Sequence, residues 1–242
     1  MDGRFNNMLL VTKDNLHTDN IKAHIRASNV DYKHASNTRP LCIPELDLYT
    51  SLPLSYGNSK LHDNIAIFDL LAIYSCPNHL ACANSCYAAK AQKIYPTTWN
   101  KRLLHTYLAI HNIPLLEKSI QTQLADRWVP YVRIHSSGDF INDDYTKMWI
   151  RIANALPLYR FYFYTKVQNN TYIEELANLA NVNKVESILP DGSLNYGSEA
   201  YIKDKADKYN IAVCDVTMLG SGQCGLTCTH CMTNKYVLFK KH

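Results

Sequence analysis

From about residue 62 onward, the chain alternates short apolar, β-prone runs with longer stretches whose apolar residues recur at helical spacing. Helices are predicted after Asn142 and Thr171 and in four further ranges: 88–93, 98–110, 113–128 and 198–209. Six strands are predicted at residues 65–75, 130–135, 160–167, 185–189, 211–216 and 236–239. Strands that alternate with helices indicate an α/β fold with a parallel sheet. Because six strands are too few for an eight-stranded barrel, we expect a partial (β/α)6 barrel or an open sheet.

The pattern of apolar residues is weak in the first quarter of the chain and clear in the remainder. Residues 1–60 show no clear period, and we interpret them as an N-terminal extension that packs on the core. Residues 61–242 form the predicted barrel and end in a cysteine-rich loop. Cys42, in the extension, is interpreted as a small buried side chain rather than as a ligand.

Composition narrows the class of protein. Apolar residues make up 47% and charged residues 19% of the chain, which is ample for a core and argues against disorder. The formal charge of +4 neither requires nor excludes nucleic acid as a partner. The longest apolar run carries Asp69, and the first residues lack the pattern of a signal peptide, so we expect a cytoplasmic protein without a membrane partner. In a reducing compartment, the eight cysteines are expected to be metal ligands or thiols rather than disulfides.

The first cysteine group, Cys76, Cys82 and Cys86, follows the first predicted strand. Cys82 and Cys86 are four residues apart and would share one face of a helix, and Cys76 would add a thiol from the strand end. Thiolates suit zinc and iron–sulfur clusters, and three of them leave one coordination position of a metal site open. The alternative is three buried thiols in an alanine-rich helix.

The second cysteine group can supply four ligands. It consists of Cys214, Cys224, Cys228 and Cys231. Four thiolates close a metal site, so zinc or an auxiliary iron–sulfur cluster fits, and closed sites of this kind are commonly structural. His230 lies between two of these cysteines and is interpreted as a neighbour rather than as a ligand.

A polar turn follows the second predicted strand. Ser137, Gly138 and Asp139 can present backbone N–H groups and a carboxylate to a polar ligand, at the sheet edge where such folds place their sites. The same tripeptide is also an ordinary turn, and Asp139 could instead help to begin the helix near Asn142. Lys166, at the end of an aromatic strand, is a further candidate.

Four segments together resemble a known family. They are the stretch from Cys76-Pro to Cys86-Tyr-Ala, the stretch His135-Ser-Ser-Gly-Asp-Phe, the stretch Phe163-Tyr-Thr-Lys, and the terminal Cys-Gly-x-x-Cys-x-x-Cys. The chain resembles the radical S-adenosylmethionine (SAM) superfamily and, more closely, the phage gene product 88 family. The spacing of the first cysteine group is C-x5-C-x3-C, whereas radical SAM enzymes usually have C-x3-C-x2-C, and the usual spacing occurs here only at Cys224, Cys228 and Cys231.

The resemblance implies an activity. The first cysteine group would hold a [4Fe–4S] cluster whose open iron binds SAM, and Ser137, Gly138 and Asp139 would contact the methionine part of SAM. An electron from a donor such as flavodoxin or ferredoxin would cleave SAM and start radical chemistry on an unknown substrate, in the cytoplasm of an infected host cell. The second cysteine group would then hold another [4Fe–4S] cluster or zinc. The alternative is a non-catalytic module, stabilised by iron–sulfur or zinc, that binds nucleic acid or a host protein.

Overall fold

A computed structural model describes residues 54–78, 83, 86–214 and 224–240. These residues form a mixed α/β fold built on a mostly parallel five-stranded sheet and a smaller three-stranded sheet. The prediction of an α/β fold with a parallel sheet is therefore confirmed. Among the described helices, none combines the length and the apolar character needed to cross a membrane.

The strands of the larger sheet lie side by side in chain order, and only the first pair is antiparallel. These strands are β1 (Ser55–Tyr56), β2 (Ile65–Phe68), β3 (Tyr131–Ile134), β4 (Arg160–Thr165) and β5 (Val182–Glu186). The smaller parallel sheet consists of β6 (Tyr196–Gly197), β7 (Ala212–Val213) and β8 (Val237–Lys240). In it, β8 lies between β6 and β7. The larger sheet thus begins with β1, inside the range interpreted as an extension.

Seven helices are present in the described residues. They are α1 (Tyr87–Ile94), α2 (Pro96–His111), α3 (Ile113–Asp126), α4 (Asp143–Ala155), α5 (Thr171–Ala177), α6 (Glu199–Tyr209) and α7 (His230–Thr233). Polar caps begin several of them, because a side-chain oxygen there accepts from a free N–H of the first turn. Asn142 caps α4 as predicted, whereas the cap of α5 is Asn170 rather than Thr171.

The two faces of the larger sheet are covered differently. Side chains such as Phe68, Ile134 and Phe163 point to one face and form the main core with residues of α2 to α5. The neighbouring residues in each strand, such as Ile67 and Tyr162, point to the other face. That second face, called the cysteine face below, is covered by residues of the C-terminal segment, including the short helix α7.

The C-terminal segment crosses the cysteine face from the beginning of β2 to β5. At one side, the N–H of His62 donates to the carbonyl of Cys224 at 2.9 Å. At the other side, the amide of Asn183 on β5 donates to the carbonyl of Cys231 at 2.9 Å. This placement brings the second cysteine group under the sheet.

Candidate functional site

The first cysteine group lies at the carboxyl edge of the sheet, beyond the end of β2. That strand ends at Phe68 rather than near residue 75, and a turn-rich loop leads from it to Cys76. Cys76 and Cys86 are half-buried and form no disulfide, whereas Cys82 lies outside the described residues. The prediction that Cys86 belongs to the helix is wrong, because α1 begins at Tyr87 and Cys86 is its extended N-cap. Cys86 therefore precedes the first turn of α1 instead of lying within it.

Hydrogen bonds attach both ends of the first cysteine segment to the ends of neighbouring strands. Near Cys76, the amide of Asn78 donates to the carbonyl of Lys166, just after β4, at 2.6 Å. Near Cys86, the hydroxyl of Tyr87 donates to the carbonyl of Ser136, just after β3. The described ends of the segment thus lie at the carboxyl ends of β4 and β3, the usual location of sites in parallel sheets.

A buried ion pair supports this edge from below. The guanidinium of Arg102 on α2 bonds Oδ2 of Asp69 at 2.9 and 3.2 Å, and both side chains are almost fully buried. The other oxygen, Oδ1 of Asp69, accepts from the N–H and the hydroxyl of Ser136 at 2.8 and 2.5 Å. Burial alone raises the pKa of Asp69, but Arg102 and Ser136 outweigh it, so the pKa lies below its ordinary value.

Arg102 also holds the helix that follows Cys86. Its Nη1 donates to the carbonyl of Ala88 in the first turn of α1 at 2.9 Å and to Oε1 of Gln92 at 3.2 Å. The same Oε1 accepts from the N–H of Ala72 in the loop after β2 at 2.7 Å. One buried arginine therefore connects the loop before Cys76 with the helix after Cys86.

The polar turn Ser137-Gly138-Asp139 interlocks with the loop that leads to Cys76. The hydroxyl of Ser137 donates to the carbonyl of Leu70 at 2.8 Å, and the N–H of Leu70 donates back to the carbonyl of Ser137. Gly138 has a φ of +86°, and a Cβ there would lie 2.6 Å from both Leu70 Cβ and Ser75 Oγ. Glycine is thus required for backbone conformation and for space.

The carboxylate of Asp139 is fully engaged inside the protein. It accepts from the N–H of Phe140, the hydroxyl of Thr165 and the N–H of Lys166 at 2.8 to 3.0 Å. Burial raises its pKa in spite of these donors. The polar turn thus joins the ends of β2, β3 and β4, and its contact with SAM remains a prediction.

Two buried histidines lie under the same edge. His105 stacks on Phe68 with a centroid distance of 4.5 Å, and its Nδ1 lies 2.9 Å from the carbonyl of Asp69. His135 Nε2 lies 2.6 Å from the hydroxyl of Tyr145. Burial lowers the pKa of His105 to about 4 and that of His135 to about 3, so both are neutral at pH 7.

The four cysteines of the second group are all buried under the sheet, and three of them share one apolar cluster with Tyr162. A hydrogen bond with Cys231 lowers the pKa of Cys224 to about 7, and the same bond raises the pKa of Cys231. The hydroxyl of Tyr162 neighbours Cys224 and also lowers its pKa, although it forms no hydrogen bond of standard geometry. A positive φ at Gly225 lets the loop turn, and its N–H donates to the carbonyl of Cys228.

Within the described part of the chain, no three histidine, cysteine, aspartate or glutamate side chains are arranged as a metal site. The metal-binding roles of both cysteine groups therefore remain predictions.

Sequence reasoning missed the roles of Asp69, Arg102 and Arg133. The available signal was a charge inside an apolar pattern, as with Asp69 after β2 and Arg133 within β3.

Comparisons with known proteins identify a family. No curated protein and no solved structure matches the chain. The profile of a family described as Gene product 88 matches residues 15–227, which include most of the N-terminal range. Of the two cysteine groups, the match contains Cys76, Cys82, Cys86, Cys214 and Cys224. Cys228 and Cys231 lie beyond the match. The match covers far more than half of the sequence, so the chain belongs to the Gene product 88 family, as its motifs had suggested.

Proposed function

We propose that this protein is an iron–sulfur enzyme of the radical SAM type, with a [4Fe–4S] cluster on Cys76, Cys82 and Cys86. The observation that carries the proposal is the position of the first cysteine segment, which is attached across the carboxyl ends of β2, β3 and β4. A bound cluster of this type supplies an electron that cleaves SAM. The larger sheet would then be part of a partial (β/α)6 barrel.

The residues at the edge fit such a group. Cys76 and Cys86 are half-buried and form no disulfide, so their side chains are sheltered but reachable from solvent. The contacts of Arg102 with α1 and with Asp69 restrict the positions that Cys86 can take. In this proposal the protein orients the thiolates and limits access of water, and the polar turn of residues 137–139 keeps the loop before Cys76 in place.

The decisive experiment is anaerobic purification followed by iron, acid-labile sulfide and zinc analysis. Serine at Cys76, Cys82 and Cys86 together should remove the visible absorbance of one cluster, because serine is a poor iron ligand. Cys42→Ser is the matched control and should leave the iron content unchanged. Stoichiometric zinc without acid-labile sulfide in the wild-type protein would overturn the proposal.

A second measurement tests the enzyme activity separately from cluster binding. SAM should change the EPR signal of the reduced cluster in the wild-type protein, and a reductant such as dithionite should yield 5′-deoxyadenosine. A cluster that does not respond to SAM would leave an iron–sulfur protein without this chemistry.

The alternative is a non-catalytic module stabilised by metal that binds nucleic acid or a host protein. It is favoured by the second cysteine group, whose four thiols are buried as in a closed site. It is also favoured by Asp139, whose carboxylate is occupied by protein donors. Under this alternative, the triple serine variant would keep its partner binding, whereas the loss of Cys228 would remove it through unfolding.

A further inference from the structure

Arg133 lies in β3 and points to the cysteine face. In the register of the sheet, its Cα pairs with Ile67 on β2 and with Tyr162 on β4. Its guanidinium lies over the ring of Tyr164, 5.0 Å from the centroid. Tyr164 is two residues closer to the carboxyl edge than Tyr162, so the guanidinium extends toward that edge.

Arg133 has no acidic partner in the described part of the chain, and its buried Nε has no hydrogen-bond partner. A guanidinium remains charged at any physiological pH, and burial of an unpaired charge is unfavourable. Among the described residues, the one other arginine that is similarly sheltered is Arg102, and it is paired with Asp69. The cation–π contact with Tyr164 compensates only part of the lost hydration.

The surroundings of Arg133 are polar and reach the surface. The hydroxyl groups of Tyr87, Tyr162 and Tyr164 and the thiol of Cys231 are its electrostatic neighbours, and together they raise its pKa in spite of burial. Tyr87 is 57% exposed and follows Cys86 directly, so the surroundings of the Arg133 guanidinium are open to solvent at the edge that carries the first cysteine group. Tyrosine hydroxyls can add hydrogen bonds to an anion that the guanidinium attracts.

We propose that the cysteine face binds a carboxylate or phosphate group of a ligand through Arg133, just inside the edge that carries the first cysteine group. The planar guanidinium can form two parallel hydrogen bonds with either group. That this ligand is the substrate rests on the proposed function, whereas the binding of an anion does not. An anionic substrate held here would lie next to the first cysteine group.

The competing explanation is that thiolates of the second cysteine group are the partner of Arg133. Cys231 is among its neighbours, and Arg133 also lowers the pKa of Cys224. If this explanation holds, Arg133 stabilises a metal–thiolate site, and a small anion has no reason to bind.

The test is calorimetric titration of inorganic phosphate and, separately, of acetate at constant ionic strength. The titrations compare the wild-type protein with Arg133→Met and with Arg160→Met, which removes an exposed arginine from the beginning of β4. Arg133→Met should weaken binding of the preferred anion about tenfold to a hundredfold, the usual effect of losing a charge-assisted bond, and Arg160→Met should not. The anion with the larger loss identifies the group that the site prefers.

Arg133→Lys keeps the charge but not the two-pronged geometry, and it serves if Arg133→Met fails to fold. It should bind more weakly than the wild-type protein. Equal affinity in the wild-type protein and in the folded Arg133 variant would overturn the inference, and so would no binding of either anion by the wild-type protein. Iron and sulfide analysis of the same preparations separates this result from the proposed function. If the protein holds a cluster but binds no anion, only the inference about Arg133 is refuted. If it binds an anion but holds no cluster, only the proposed function is refuted.

Discussion

The ion pair between Asp69 and Arg102 offers the sharpest test of how the edge is held. Arg102→Met keeps most of the apolar length of the side chain but leaves Asp69 charged and buried, with Ser136 as its remaining donor. It also removes the bonds to Ala88 and Gln92. Loss of one partner of a buried pair typically costs about 3–5 kcal/mol, so we expect the free energy of unfolding to fall by about that amount.

Arg151→Met is the matched control. Arg151 and Glu117 also form several hydrogen bonds, with the shortest at 2.6 Å, but Arg151 is largely exposed. Exposed pairs contribute about 0–1 kcal/mol, because water screens the charges. Urea unfolding of wild type and both variants, at matched metal content, gives the comparison.

A double variant separates the pair from other losses. Asp69→Asn combined with Arg102→Met removes both charges, so it should be less destabilised than the sum of the single variants by about 0.5–3 kcal/mol. The reasoning is refuted if Arg102→Met is no more destabilised than Arg151→Met. It is equally refuted if the effects of the two single variants simply add.

Three further predictions concern the core, the polar turn and the second cysteine group. The pKa of His105 is about 4 in the folded protein and 6.5 when exposed, so on acidification the unfolded chain takes up a proton before the folded protein does. The free energy of unfolding should therefore fall by about 3 kcal/mol as the pH drops from about 6.5 to about 4. His105→Gln should lose the contribution of His105 to this dependence in urea titrations at several pH values, and the remaining dependence comes from His135, whose pKa is also lowered by burial. The exposed His111→Gln should keep the contribution of His105. The free energy of unfolding of Gly138→Ala should be about 1–3 kcal/mol lower than that of Gly192→Ala. Both glycines have a positive φ, but of the two only Gly138 lacks space for a methyl group, and equal losses of stability would contradict this reasoning. Cys228→Ser should lower the melting temperature more than it alters any SAM interaction, because binding of a metal by this group would be coupled to folding. A variant that is as stable as the wild-type protein but has lost activity would show instead that the site is catalytic.

The sequence by itself was sufficient for the features that depend on near neighbours. Apolar period predicts the positions of helices α1 to α6 and of strands β3, β4, β7 and β8, whereas it extends β2 too far, places β5 too late and misses β1, β6 and α7. Polar residues such as Asn142 and Ser198 begin helices as expected, because a cap and its N–H partner are three residues apart. The positions of cysteines and polar turns after strands also follow from the chain order, since parallel strands end at one edge. The error at Cys86 arose at a helix boundary, where the local pattern is weakest.

Only the tertiary structure decided which distant groups meet. Asp69 and Arg102 are 33 residues apart, and nothing in the local pattern of either residue selects the other. The insertion of β8 between β6 and β7, and the crossing of the C-terminal segment under the sheet, depend on packing of whole elements. The same packing determines that Arg133 faces tyrosines and thiols instead of a carboxylate. A sequence pattern reports which side of a strand is buried, but the partner on that side is set by the free energy of the complete fold.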